Sequence, residues 1–106
     1  MNKFVIDAYA WIEYFNGTKL GEKVKEIIEN PINSIFTNVV TIAELSSSFK
    51  RNSLNFEEAK KILLVLSKIY NIDINFAEDA GKIHAEIKKE RKHIGLADIF
   101  ILLTAR

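Results

Sequence analysis

Lys3-Phe4-Val5-Ile6-Asp7 is a bounded apolar run, branched at β, that ends on a carboxylate. Such a run reads as a short buried strand. Ala8 to about Phe15 follows as a helix with Trp11, Ile12, Tyr14 and Phe15 on its buried side, and Asn16-Gly17-Thr18 is a stop-and-turn signal. A helix from about Leu20 to Glu29 carries Leu20, Val24, Ile27 and Ile28 at helical spacing and is closed by Pro31. Ser34-Ile35-Phe36-Thr37 is a second strand, and Thr41-Ile42-Ala43-Glu44 opens a helix that continues to about Lys50.

The same alternation runs through the second half. Asn52-Ser53 breaks the helix, and Asn55 with Glu58 starts another, with Ile62, Leu63, Leu66 and Ile69 as its buried stripe. Tyr70-Asn71-Ile72-Asp73-Ile74 alternates apolar and polar residues and predicts a third, less protected strand. Asn75 and Glu78 begin a helix to about Lys92, with Ala80, Ile83, Ile87 and His84 inward, and Gly95 precedes a last helix. Strands alternating with helices imply parallel crossovers, hence a layered α/β fold.

Asp7, Glu44 and Asp98 each interrupt an apolar stretch. A carboxylate there is costly unless it is paired, hydrogen-bonded or bound to a cation. Ligands of parallel sheets bind outside the carboxyl ends of the strands. Asp7 ends the first strand and Glu44 lies one turn beyond the second, so both point to the same edge. Three such acids suggest one pocket for a hard divalent metal.

Each acid also has a plainer explanation. Glu44 fits a Thr41-x-x-Glu44 capping box, Asp98 can interact with the amino end of its helix, and Asp7 can serve as a turn acid after its strand. Asp79 and Asp73 read as a helix-start acid and a solvent-facing strand acid. His84 and His93 read as packing or surface residues, because no second histidine lies at ligand spacing.

The 106 residues predict one domain spanning 1–106, with 48% hydrophobic and 27% charged residues typical of a soluble globule. No cysteine is present, which excludes disulfides and cysteine-based zinc sites. The N-terminus carries no signal-peptide apolar region, and the run from Ala97 to Ala105 is too short to span a bilayer; a cytoplasmic location is expected by elimination. Net charge is only +1, but Lys88, Lys89, Arg91, Lys92 and His93 cluster upstream of Asp98, and Lys50 and Arg51 follow Glu44. They suit a phosphodiester substrate or, more plainly, complement helix ends as solvated cations.

Phe4 to Phe15, Thr41-Ile42-Ala43-Glu44-Leu45 and Leu96 to Ala105 together resemble the three acidic motifs of PIN domains, especially the VapC-like toxins. The resemblance implies a Rossmann-like three-layer parallel sheet with helices on both faces. It implies a Mg²⁺- or Mn²⁺-dependent ribonuclease, the toxin of a type II toxin–antitoxin pair, with Asp7, Glu44 and Asp98 as metal-coordinating catalytic residues. RNA is then the substrate, and Lys50, Arg51, Lys88, Lys89, Arg91 and Lys92 would hold its backbone.

Ala8 stands where the family often has Thr or Ser. The family pattern also continues with two strands and a fourth acid in a Thr-x-Asp-like segment, past Arg106. The expectation is therefore a sheet lacking its last strands, with an apolar final helix that either a partner chain covers or a shortened gene leaves uncovered, and self-association as a dimer.

Two other readings stand beside this one. The first is a truncated, catalytically inactive module that binds RNA or an antitoxin peptide through the surface around Trp11, Tyr14 and Phe15. The second is a receiver-like signalling domain, which needs adjacent acids after the first strand and a late lysine that the chain lacks.

Overall fold

Parallel pairing places the strand Ser34–Asn38 (β2) between Lys3–Val5 (β1) and Lys68–Tyr70 (β3). A computed structural model describes residues 2–91 and 93–105, the side chain of Ala97 excepted. The helices Ala8–Asn16 (α1) and Lys19–Ile28 (α2) connect β1 to β2. Val39–Arg51 (α3) and Phe56–Leu66 (α4) connect β2 to β3, and Ile74–Lys88 (α5) and Leu96–Thr104 (α6) follow. The chain is thus α/β, with a parallel sheet flanked by helices.

Alternation along β2 builds the core. Ile35 and Thr37 are buried on one face, against Ile6, Trp11, Val24, Ile28, Leu45, Phe49, Ala59 and Leu63. Phe36, on the opposite face, is bracketed by the ammonium groups of Lys3 and Lys68 at 5.1 and 6.0 Å from the ring centroid. Burying a hydroxyl such as Thr37 costs stability unless it is bonded. Trp11 Nε1 donates to Thr37 Oγ1 at 3.1 Å, Thr37 Oγ1 lies 2.9 Å from Ser67 Oγ, and Ser67 Oγ donates to Leu63 O at 2.9 Å. With Ser67 spending its proton on Leu63, Thr37 donates to Ser67 and accepts from Trp11. One directional chain therefore ties α1, β2 and the α4–β3 junction together.

The α1–α2 corner is set by two glycines. Gly17 adopts φ 63°, a left-handed conformation that closes α1. At Gly21 a Cβ would stand 2.0 Å from the carbonyl oxygen of Glu13, so only a bare backbone permits this close crossing.

Several boundaries differ from those expected, each for a local reason. The third strand is Lys68–Tyr70, not Tyr70–Ile74, because Asp73 Oδ1 accepts the Phe76 amide at 2.8 Å and starts α5. Asp73 is thus a helix cap rather than a strand acid, and Ile74 is exposed. Ile69 belongs to β3, and Leu20 and Ile62 face solvent instead of the core. The first strand is an edge strand with Lys3 exposed and Phe4 and Val5 half-buried, not a buried one.

Trp11 is fully buried, so it contributes nothing to a docking surface; Tyr14 and Phe15 are only partly accessible. The end of α5 at Lys88 precedes the expected limit near Lys92, which itself lies outside the described residues. Among the described residues no helix is long and apolar enough to cross a membrane.

Candidate functional site

Each of the three acids stands next to a residue that anchors it. Ile6, Leu45 and Ile99 are buried, at 6%, 0% and 0% exposure, beside Asp7, Glu44 and Asp98 respectively. The acids themselves are exposed, contrary to the expectation of carboxylates trapped in apolar surroundings. The apolar runs fix the backbone, and the charged groups stay at the rim, where water removes most of the desolvation cost.

Asp7 follows β1, whose line is prolonged by the Ile6 amide donating to Phe36 O at 3.0 Å. It is the N-cap of α1: Oδ1 accepts the Ala10 amide at 2.8 Å. Asp98 is the third residue of α6, and its Oδ2 accepts the Gly95 amide at 3.1 Å. The helix-end role expected of Asp98 is therefore real, and Asp7, expected at most as a strand-end turn acid, is a helix cap as well; both bonds orient the carboxylates.

Glu44 has no such role. The cap of α3 is Asn38, whose Oδ1 accepts the Val40 amide at 2.8 Å, which places Thr41 and Glu44 inside the helix and removes the capping box. Thr41 is buried, and its hydroxyl has no hydrogen-bond partner among the described residues.

Electrostatic repulsion couples the three acids. Partial burial raises the Glu44 carboxyl above its ordinary value, and the negative charges of Asp98 and then Asp7 raise it further. Both charges thus act on Glu44. Among the described residues, however, no three His, Asp or Glu side chains stand close enough to enclose a metal ion. The two observations are compatible because Coulombic coupling reaches further than a coordination bond.

The donor set suits a hard cation. It offers carboxylate oxygen only, and Mg²⁺ typically takes one or two carboxylates and keeps several waters. By donor chemistry these residues would suit a partly hydrated divalent ion, and among the described residues they do not form a closed cage.

The raised Glu44 value has a consequence for stability. The folded chain holds that proton to higher pH than the unfolded chain, so this contribution to stability is intact below the ordinary carboxylate range. It falls as pH rises through the raised folded value. Glu44→Gln removes the repulsion. Its melting temperature at neutral pH is expected about 1–3 °C above wild type, a small gain because the group is largely exposed. The gain disappears near pH ~3.5, where the glutamate is protonated in both states. Equal melting curves at pH 7 would contradict the coupling.

A residue pair that the motifs did not signal holds α6 in place. Buried Asn38 Nδ2 donates to Thr104 Oγ1 at 2.6 Å, and Thr104 Oγ1 donates to Phe100 O at 2.7 Å. Lys3 Nζ donates to Thr104 O at 2.7 Å. Asn38 therefore starts the helix bearing Glu44 and clamps the helix bearing Asp98. An asparagine between strand and helix is a readable cap signal; its partner 66 residues away is not.

The basic residues fall into two groups. Lys50 and Arg51 are exposed at the end of α3, and Lys88, Lys89 and Arg91 are exposed at and after the end of α5. Lys92 lies outside the described residues. His93 is exposed, and His84 is half-buried with Nε2 3.2 Å from Ile94 O, a packing position.

The family model for the PIN domain matches residues 4–106. The chain belongs to the PIN domain family. That match spans all three acidic motifs, and PIN domains are in general nucleases that typically use divalent metals. No curated protein sequence matches the chain.

Proposed function

We propose that this PIN domain is an endoribonuclease of the VapC-like type, hydrolysing RNA phosphodiester bonds with Mg²⁺ or Mn²⁺, and the toxin of a type II toxin–antitoxin pair. The reading rests above all on the coupling of Asp7, Glu44 and Asp98 at the carboxyl edge of a parallel sheet. Asp7 and Asp98 would be the main ligands, each presenting the oxygen left over from its backbone bond, and Glu44 would bind directly or through water. The bound ion supplies activation of water and neutralisation of charge on the phosphate. The chain's own part is to hold the carboxylates in register through the α1 cap, the Gly95 amide and the Asn38–Thr104 clamp. Lys50, Arg51, Lys88, Lys89, Arg91 and Lys92 would attract the RNA backbone, contributing affinity rather than sequence choice.

Partners follow from the surface. A cavity of about 270 Å³ lined by Ile12, Phe15, Phe49 and Leu54 together with Asn16, Ser48 and Asn52 supports docking of an amphipathic antitoxin segment. The edges of β1 and β3, unpaired among the described residues, support self-association as a dimer. The open arrangement of the acids favours a second reading, an inactive module that binds RNA or an antitoxin without cutting.

Hydrolysis of single-stranded RNA separates the two. Cleavage by the purified chain in Mn²⁺ or Mg²⁺, stopped by chelation, is the expected result. RNA that is bound and left intact at millimolar metal supports the module instead.

A further inference from the structure

We infer that Arg51, steadied by Ser47, is a clamp for an RNA phosphate beside the one that is cut. This inference rests on the nuclease reading and assigns a subsite to it. Ala43, Glu44, Ser47 and Arg51 line one cavity of about 360 Å³. Residues 44, 47 and 51 are spaced three and four apart, so they form a single stripe along α3.

The direction of the guanidinium decides between clamp and helix-end charge. Arg51 is the last residue of α3, where a cation complements the carboxyl end of the helix. Its Nη1 instead donates to Ser47 Oγ, one turn back, which turns the fork toward the turn that carries Glu44. The ion pairs among the described residues join Lys60 to Glu57 and Lys82 to Glu78, and none engages Arg51. A planar fork with free donors recognises phosphate bidentately, which an ammonium group does not. Glu44 lies seven residues back, ~10 Å along the same face, and the fork bonded to Ser47 reaches part of the way toward it. A phosphate held there leaves its neighbour on the strand at the acidic rim.

The test compares wild type, Arg51→Ala, Arg51→Lys and Ser47→Ala in two assays. The first is binding of a fluorescent single-stranded RNA oligomer without divalent metal, across a range of salt. The second is steady-state cleavage in Mn²⁺. For Arg51→Ala the expected results are a KM about tenfold higher with kcat within about twofold, the pattern of lost uniform binding. The slope of log Kd against log salt should shrink by about 0.7, one phosphate contact on a single strand. Arg51→Lys should restore the salt slope but less than half of the affinity, and Ser47→Ala should weaken binding about two- to threefold.

A merely helix-capping Arg51 would change the melting temperature and leave the salt slope alone, which overturns the clamp. Cleavage by Arg51→Ala with wild-type KM overturns the clamp and spares the nuclease reading. Arg51-dependent binding without any cleavage does the reverse. A wild type that neither binds nor cuts RNA overturns both.

Discussion

Asp7→Asn is expected to lower RNA cleavage at least about a hundredfold while melting within a few degrees of wild type. The separation arises from the two roles of this side chain. Asparagine caps a helix as well as aspartate does, so its amide oxygen can still accept the Ala10 amide and α1 still starts at Ala8. What it cannot supply is the negative charge that acts on Glu44 and that a divalent ion requires. Asp98→Asn should behave alike, since an amide oxygen can still accept from Gly95. Cleavage by either variant at the wild-type rate, in a preparation free of contaminating nuclease, would remove the acids from the mechanism.

The largest loss of stability is expected at Trp11. Its ring is fully buried, 5.6 Å from Phe15 in a stacked arrangement and 5.5 Å from Tyr14 edge-on. Trp11→Ala empties that volume, which typically costs about 3–5 kcal/mol. It also deprives Thr37 of the donor that completes its chain to Ser67 and Leu63. A domain of this size rarely has more than about 5–15 kcal/mol in hand, so a melting temperature lower by at least about 12 °C, or failure to fold at 37 °C, should result. Trp11→Phe should fall between the two, because it keeps most of the volume and loses only the indole donor. A Trp11→Ala chain melting within a few degrees of wild type would show that this buried chain does not organise the core.

What was legible in the sequence was whatever depends on neighbours along the chain. Bounded apolar runs marked β1 and β2, the Asn-Gly-Thr turn ended α1, and Asp7 and Asp98 fall after β1 and in the first turn of α6 as expected. The misses came where two local signals competed. At Asp73 the capping preference prevailed over the polar–apolar alternation that suggested a longer third strand. At Asn38 the same preference moved the start of α3 upstream and took the capping box from Glu44. Asp7 hides its cap because a residue closing a strand and one opening a helix look alike in sequence.

Other features depend on distance in space, and no local pattern carries them. The fold joins Asn38 to Thr104 and Lys3 to the carboxyl end of α6 across most of the chain length. Exposure of the acids was misjudged for a related reason. Apolar neighbours in sequence signalled burial, whereas Asp7 and Asp98 sit at helix starts and Glu44 on the solvent-facing side of α3.

Paramagnetic broadening by Mn²⁺ in the amide NMR spectrum tests most directly whether these side chains share an ion. Broadening concentrated at Asp7, Glu44 and Asp98, saturating as metal is added and reversed by excess Mg²⁺, is the predicted result. Uniform weak broadening, or a focus remote from the carboxyl edge of the sheet, would contradict it.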